Sequence, residues 1–231
     1  MIEKELFVRW AAKSRDARVW RRPDAVVVAS PGLAHWDRLV LGGDADAVAG
    51  LVREVMAEVD GMFRPFGNED LVTAVVARVP ELEMTARFAW METVEPVRRG
   101  GENRPGWLAP GDEAEVAALI AESFPDSYAQ PGDPDVRRWA GIRDAAGRLV
   151  AVAADAWSTD EIGFLAGVTT HPGARGRGLA GELCGFMTDE LLREGRERTA
   201  LIVDYVNTSA IATYRKLGYS SVPVAAARRA V

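Results

Sequence analysis

A glycine-rich run lies between a strand-like segment and an apolar helical pattern, and it is the part of the sequence best suited to chemistry. The run reads VTTHPGARGRGLAG and covers residues 168–181. Gly176 and Gly178 let the backbone approach a ligand closely, and the free N–H groups of the first helical turn favour an anion there. Arg175 and Arg177 add positive charge, although arginines in loops are as often only solvated. We therefore predict that this loop binds a pyrophosphate.

Two classes of protein bind a pyrophosphate in this way. Gly176, Gly178 and Gly181 spell GxGxxG, and Asp204 follows at about the distance of the ribose-binding acid in an NAD-dependent oxidoreductase. In that fold the first glycine comes directly after the strand, whereas here residues 171–175 intervene. The chain after Asp204 is also too short for the remaining parallel strands. The spacing therefore favours the second class.

The second class is indicated by a resemblance. The run Arg-x-x-Gly-x-Ala from residue 175 resembles the (Arg/Gln)-x-x-Gly-x-(Gly/Ala) loop of the GNAT superfamily of acyl-CoA-dependent N-acyltransferases, in its glycine-N-acyltransferase-like or FR47-like form. The resemblance covers residues 107–231 and implies a mixed α/β acyltransferase fold with acetyl-CoA as co-substrate. Neither of the two histidines lies in a metal-ligand motif, so no metal is expected. The residues that carry it are Thr170, Pro172, Arg175, Gly178, Ala180, Asn207, Ala210, Tyr214, Leu217, Gly218 and Tyr219.

The resemblance also implies a set of cofactor contacts. In the family, the strand before the loop splays from the next strand, and the pantetheine arm bonds to its backbone in the gap. Asn207 would meet the pantetheine amides, or cap the following helix, or both. The predicted cofactor-binding residues are Val168, Thr169, Thr170, Arg175, Gly176, Arg177, Gly178, Leu179, Ala180, Gly181 and Asn207.

Tyr214 resembles the family's general acid, which protonates the departing CoA thiolate. A tyrosine pKa of ~10 against a thiol pKa of ~8.5 makes full transfer uphill by about 2 kcal/mol, so hydrogen bonding to the developing charge can matter as much. Tyr214 also shares a helix face with Ala210, Ile211 and Leu217, which is the pattern of a packing residue.

The general base is not fixed by the sequence. An alkylamine with a pKa of ~10.4 costs about 4 to 5 kcal/mol to deprotonate at pH 7, so a base or a water chain is needed. Where family members place a carboxylate, five residues before Asn207, this chain has Ile202. Asp204 and Glu161 are the alternatives, and each also fits a solvated charge at a strand end. The departure at Ile202 supports a second hypothesis, a catalytically silent CoA-binding regulatory module.

The surrounding pattern predicts two α/β regions, 1–94 and 107–231, joined by a linker at 95–106. GDADAVAGLV at 43–52 and GDEAEVAALI at 111–120 are similar, which indicates either a duplication with a degenerate GNAT-like N-terminal half or chance. Predicted helices are 45–59, 112–124, 178–194 and 209–217. Predicted strands are 84–90, a short one near 107, 136–143, 148–157, 162–170, 200–205 and one within 221–227.

The composition of the chain limits the classes of partner and the cellular location that we expect. Asp and Glu exceed Lys and Arg by 34 to 28, giving a net charge of −6, which argues against nucleic acid. The single cysteine, Cys184, excludes an internal disulfide and is expected to be a buried thiol. The sequence shows no export signal and no bilayer-length apolar run, which predicts a cytoplasmic protein. The acceptor is expected to be a small-molecule or protein amine, and a homodimer is the assembly to test.

Overall fold

The computed structural model describes residues 6–60, 62–97 and 104–230, and its alternation of helices and strands confirms the predicted mixed α/β fold. The helices are α1 (Leu6–Ala12), α2 (Ala45–Glu58), α3 (Glu69–Arg78), α4 (Glu113–Ser123), α5 (Leu179–Arg193) and α6 (Thr208–Lys216). The strands are β1 (Arg18–Arg22), β2 (Ala25–Leu33), β3 (Trp36–Gly43), β4 (Arg64–Asn68), β5 (Leu82–Thr93), β6 (Gly106–Trp107), β7 (Val136–Arg143), β8 (Leu149–Ala156), β9 (Ile162–Thr170), β10 (Arg198–Asp204) and β11 (Ser220–Arg229).

Sequence patterns located the elements of the second half better than those of the first. From β6 onward the predicted elements are present, with ends that differ by at most two residues. In the first half only α2 and the middle of β5 were predicted. The missed strand β2 begins with six consecutive buried residues, so it lacks the alternation that marks a strand with one solvated face.

The chain divides into two compact units. The first comprises residues 1–90 and 222–231, and the second comprises 91–221. This division differs from the predicted one because the last strand belongs with the first unit. There β11 pairs antiparallel with β4, with Val224 opposite Asn68.

None of the helices in the described ranges is long and apolar enough to cross a membrane.

The first unit packs α2 and α3 on a sheet ordered β1-β2-β3-β4-β11-β5. Its central pair, β3 and β4, is parallel, and the other pairs recorded for it are antiparallel. Helix α2 begins after Asp44, whose carboxylate accepts hydrogen bonds from the N–H groups of Asp46 and Ala47 at 3.0 and 3.2 Å. The predicted N-cap is therefore confirmed.

The second unit contains the sheet order β10-β9-β8-β7-β6, in which only the β9·β10 pair is parallel. Every residue of β8 is buried, since α4 and α5 both pack against it. A largely antiparallel sheet of this kind is incompatible with the parallel sheet of a dinucleotide-binding domain, which weighs against the NAD alternative.

The order of helices and strands repeats along the chain. This repeat does not align the two segments that are similar in sequence. Three successive antiparallel strands, a helix, a parallel strand, a helix and a strand occur as β1 to β5 and again as β7 to β11. The similar segments 43–52 and 111–120 fall in α2 and α4, which occupy different places in that order. A duplication would produce this repeated order and stays a prediction, whereas the similarity between these two segments does not correspond to it.

Candidate functional site

The two parallel strands of the second unit separate beyond their first residues. Arg198, Thr199 and Ala200 lie opposite Ile162, Gly163 and Phe164, and past these positions no further pairing of β9 with β10 is recorded among the described residues. On its other edge β9 carries a bulge at Gly167, where its register against β8 shifts. A bulge bends its strand. The gap between the strands leaves backbone groups of β9 available to an extended ligand.

Gly167 is required at the bulge for two reasons. Its φ of +58° is one that side-chain-bearing residues rarely adopt. A Cβ there would also lie 3.1 Å from the Trp139 ring and 3.2 Å from Cβ of Ala129. Trp139 is itself 5% exposed and packs in the core beneath α4. Packing of Trp139 and Ala129 against Gly167 thus supports the bend in β9.

Hydrogen bonds hold the loop after β9 in place. Nδ1 of His171 accepts from the Gly173 N–H at 3.1 Å, so the neutral imidazole carries its proton on Nε2 and donates to Glu122 Oε1 at 3.1 Å. Arg175 donates from Nε to the Thr170 carbonyl and from Nη2 to the Ser123 carbonyl, both at 3.2 Å. Arg175 therefore fastens the loop to the ends of β9 and α4.

Gly176 and Gly178 adopt φ values of +77° and +78°, and Gly178 precedes the first residue of α5 in the left-handed conformation. A Cβ on either would meet no atom within 4 Å, so backbone conformation and not crowding requires glycine. The first N–H to bond within α5 is that of Glu182, to the Gly178 carbonyl at 3.1 Å. Among the described residues, no hydrogen bond is recorded for the preceding N–H groups of α5, so they can donate to an anion; binding of a pyrophosphate there stays a prediction.

A groove of about 1170 Å³ joins the gap between the strands to this loop. Most of the predicted cofactor residues line it, and Arg177 does not. Val97, Arg104, Pro105 and Lys216 also line it and were not predicted. For Val97, Arg104 and Pro105 the reason is that the proline- and glycine-rich segment before β6 carries only a signal for exposure. The predicted residues found in the lining are Val168, Thr169, Thr170, Arg175, Gly176, Gly178, Leu179, Ala180, Gly181, Asn207 and Tyr214.

Asn207 takes the capping role considered for it, and its contact with pantetheine stays a prediction. Its Oδ1 accepts from the Ala210 N–H at 3.1 Å and so caps α6. The residue also lines the groove, and its amide nitrogen makes no hydrogen bond to the described residues. One side chain therefore fixes the helix that carries Tyr214 and offers a donor to a ligand.

Tyr214 is 6% exposed and borders the groove. Burial raises its pKa well above the usual value, and the nearby Cys184 and Tyr219 act in the same direction. The phenol consequently keeps its proton at physiological pH. Within the described ranges, its hydroxyl has no hydrogen-bond partner, so it is available to a group in the groove.

The structure brings neither proposed base to the groove. Glu161 precedes β9, at the end away from the loop, and eight residues of strand place it about 26 Å from Thr169. Asp204 is exposed at the end of β10 and is absent from the groove lining. The one carboxylate among the described lining residues is Glu182, in the first turn of α5. Both assignments of a base thus lack geometric support.

A buried chain of hydroxyl groups lies behind Tyr214. Thr188 Oγ1 donates to the Cys184 carbonyl at 2.7 Å, so it must accept from the Tyr219 hydroxyl at 2.7 Å. That hydroxyl then accepts from Thr199 Oγ1 at 2.9 Å. The chain connects β10, the turn after α6 and α5. Cys184 is fully buried, as predicted, and burial raises the pKa of its thiol to about 12.

Comparison with known proteins gives these features a family context. Residues 140–228 match the family model described as FR47-like protein. Mycothiol acetyltransferase from Salinispora tropica is 28% identical over 198 residues, which cover 74% of this chain and 64% of the relative, so the chain spans less than two thirds of that protein's length.

Two solved structures share the fold. A GCN5-related N-acetyltransferase from Kribbella flavida superposes with a TM-score of 0.69 at 18% identity, covering 99% of this chain and 97% of that one. A putative GNAT-family acetyltransferase from Novosphingobium aromaticivorans gives 0.63 at 18% identity, covering 97% of each chain.

Proposed function

We propose that this chain is an N-acetyltransferase of the GNAT superfamily that moves an acetyl group from acetyl-CoA to a primary amine. The observation that carries the proposal is the single groove in which the gap between β9 and β10, the glycine loop and Tyr214 meet. The acyl-CoA supplies an activated thioester. The amine attacks it directly, with both substrates bound at once.

The groove has a complementary group for each part of acetyl-CoA. The N–H groups at the start of α5 suit the pyrophosphate, and the edge of β9 at Val168 to Thr170, for which no pairing with β10 is recorded among the described residues, suits the pantetheine amides. Asn207 adds a side-chain amide at the start of α6, beyond the end of β10. Because the glycines leave open space around the loop, phosphate oxygens can reach the backbone without displacing a side chain.

Tyr214 supplies the proton for the leaving group. As the amine nitrogen bonds to the carbonyl carbon, the carbon–sulfur bond breaks and its electron pair leaves on sulfur. The buried phenol, with its raised pKa, donates a hydrogen bond to that sulfur and then the proton. The amine releases one proton to solvent, and Tyr214 recovers one from solvent, so the net products are the amide and free CoA thiol.

Deprotonation of the amine is assigned to water in the groove. Neither Asp204 nor Glu161 lines it, and position 202 holds isoleucine. Removing the amine proton at pH 7 then adds about 4 to 5 kcal/mol to the observed activation free energy. The rate should therefore rise with pH up to the pKa of the acceptor.

The decisive experiment compares ligands and then measures turnover. Acetyl-CoA should raise the melting temperature, whereas NAD at the same concentration should not. Release of free thiol should appear with at least one member of a panel of small-molecule and peptide amines. The panel should include mycothiol-related amines, because one relative is a mycothiol acetyltransferase. Stabilisation by NAD alone would refute the proposal.

A catalytically silent CoA-binding module is the second candidate, and the absence of both carboxylates from the groove lining favours it. Acetyl-CoA binding without thiol release across the whole panel would support it over the enzyme. We further propose that the protein acts in the cytoplasm, without nucleic acid or membrane partners. A homodimer is the assembly to test by sedimentation.

A further inference from the structure

We infer that Arg104, in the segment that joins β5 to β6, binds the 3′-phosphate of CoA. The inference rests on the proposed function, because it assigns one more contact to the same groove. It concerns a residue outside the glycine loop, in a part of the sequence that reads only as a linker. If it holds, the described residues just before β6 form part of the cofactor site.

The segment is anchored at both ends where it lines the groove. The Val97 N–H donates to Oδ1 of Asp189 at 2.7 Å, and Asp189 is 4% exposed in the middle of α5. The Val97 side chain lies against Gly185, where a Cβ would be 3.3 Å from Val97 Cγ1. At the other end, Gly106 pairs with Gly141 in the β6·β7 ladder, which fixes the backbone two residues after Arg104.

The groove has an excess of positive charge although the chain is acidic overall. Three cationic side chains line it, Arg104, Arg175 and Lys216, against the one carboxylate noted above. The net charge of the whole chain is −6. A local reversal of sign at a concave surface favours an anionic ligand and concentrates it there.

Arg104 and Arg175 differ in whether their guanidinium N–H groups already make hydrogen bonds. Arg175 uses its guanidinium on two backbone carbonyls. Arg104 is exposed and, in the part of the chain that the structure describes, forms no ion pair or hydrogen bond. Its five N–H donors are therefore available at the groove wall.

The 3′-phosphate is the phosphate group of CoA that best fits Arg104. Its pyrophosphate suits the backbone N–H groups of the loop, which leaves the phosphate monoester on the ribose without a partner. A monoester carries about −1.5 to −2 charges at pH 7 and presents three acceptor oxygens. A guanidinium binds such a group through two parallel hydrogen bonds, and lysine cannot reproduce that geometry.

The test compares CoA with dephospho-CoA, which lacks only the 3′-phosphate. Dissociation constants are measured by calorimetry for the wild type, Arg104→Ala, Arg104→Lys and the control Arg137→Ala. Arg137 is exposed on β7 and does not line the groove. We expect Arg104→Ala to weaken CoA binding about five- to twentyfold and to change dephospho-CoA binding less than about twofold. Arg104→Lys should fall between the wild type and Arg104→Ala, and Arg137→Ala should match the wild type.

Two results would overturn the assignment: equal weakening of both ligands, which would place Arg104 at the pyrophosphate, or no change for either. Melting temperatures of the unliganded variants should equal that of the wild type, since Arg104 forms no hydrogen bond or ion pair with the residues that the structure describes. Failure of the wild type to bind CoA at all would instead reject the proposed function, so the two failures are distinguishable.

Discussion

The backbone N–H of Tyr219 donates to the carbonyl oxygen of Tyr214 at 3.0 Å, and the two rings lie 6.0 Å apart. Tyr219 is in turn held by Thr188 and Thr199 through its hydroxyl. The proposed acid is therefore tied to α5 and β10 through its neighbour and not by its own hydroxyl. This separation lets position and proton donation be tested in different variants.

Tyr219→Phe should lower the free energy of unfolding by about 2 kcal/mol, because the Thr199 donor and the Thr188 acceptor lose their buried partner. The measurement is urea denaturation of the unliganded protein. Thr199→Val should cost a similar amount, and the double variant should cost less than the sum, since both changes break one chain. Strict additivity would contradict the directed hydroxyl chain.

Tyr214→Phe should lower kcat about ten- to a thousandfold and leave the Kd for acetyl-CoA within about twofold, because the hydroxyl acts only when the thiolate forms. Steady-state thiol release and calorimetry measure the two quantities. Tyr128→Phe, at an exposed tyrosine outside the groove lining, is the control. Unchanged kcat in Tyr214→Phe would remove the residue from catalysis.

Gly178→Ala should destabilise the protein by about 1 kcal/mol and weaken acetyl-CoA binding at least tenfold. Its φ of +78° is unfavourable for alanine, and the added methyl group lies on the open side of the loop. Gly50→Ala makes the same change inside α2, where a Cβ also meets nothing within 4 Å. That control should gain up to about 1 kcal/mol with unchanged binding, so destabilisation there would undermine the explanation.

Stability should fall as the pH rises from about 9 to 12. The folded protein keeps the proton of Cys184 up to a pKa of about 12, whereas the unfolded chain loses it near 9.0. The unfolded state therefore binds fewer protons in this window, and the free energy of unfolding drops by about 1.4 kcal/mol per pH unit for this group.

Cys184→Ala should make that fall less steep, whatever its effect on stability at pH 7. Denaturant midpoints between pH 8 and 11 measure the slope. Tyr214 and Tyr219, whose pKa values burial also raises, add to the loss above about pH 10 in both proteins. Equal slopes for the two proteins would show that the thiol does not titrate differently on folding.

One acetyl-CoA should bind per chain. In the first unit Asp44 already occupies the N–H groups at the start of α2, and its carboxylate repels phosphate. Strands β3 and β4 also stay close beyond their last recorded pair, because a Cβ on Gly67 would lie 3.1 Å from the Leu41 carbonyl oxygen. Calorimetry should give a stoichiometry of one, and a value of two would show a second site in the first unit.

Local sequence determined the cofactor loop and the elements around it. The positive φ of Gly176 and Gly178, the start of α5 and the cap at Asn207 depend on neighbouring residues, so residue type and short spacing predict them. The same holds for the amphipathic helices from α4 onward. These local features were sufficient to predict the fold class and the residues lining the groove near the loop.

Only the tertiary structure decided the rest, because those features depend on residues far apart in the chain. The gap between β9 and β10 follows from where their pairing stops, and Thr188 and Thr199 meet Tyr219 across intervening elements. Whether a carboxylate reaches the groove depends on strand ends, which excluded Glu161 and Asp204 from its lining. Composition marked Arg104 as part of an exposed linker, and its place on the groove wall comes from the anchoring of that segment to α5 and β7.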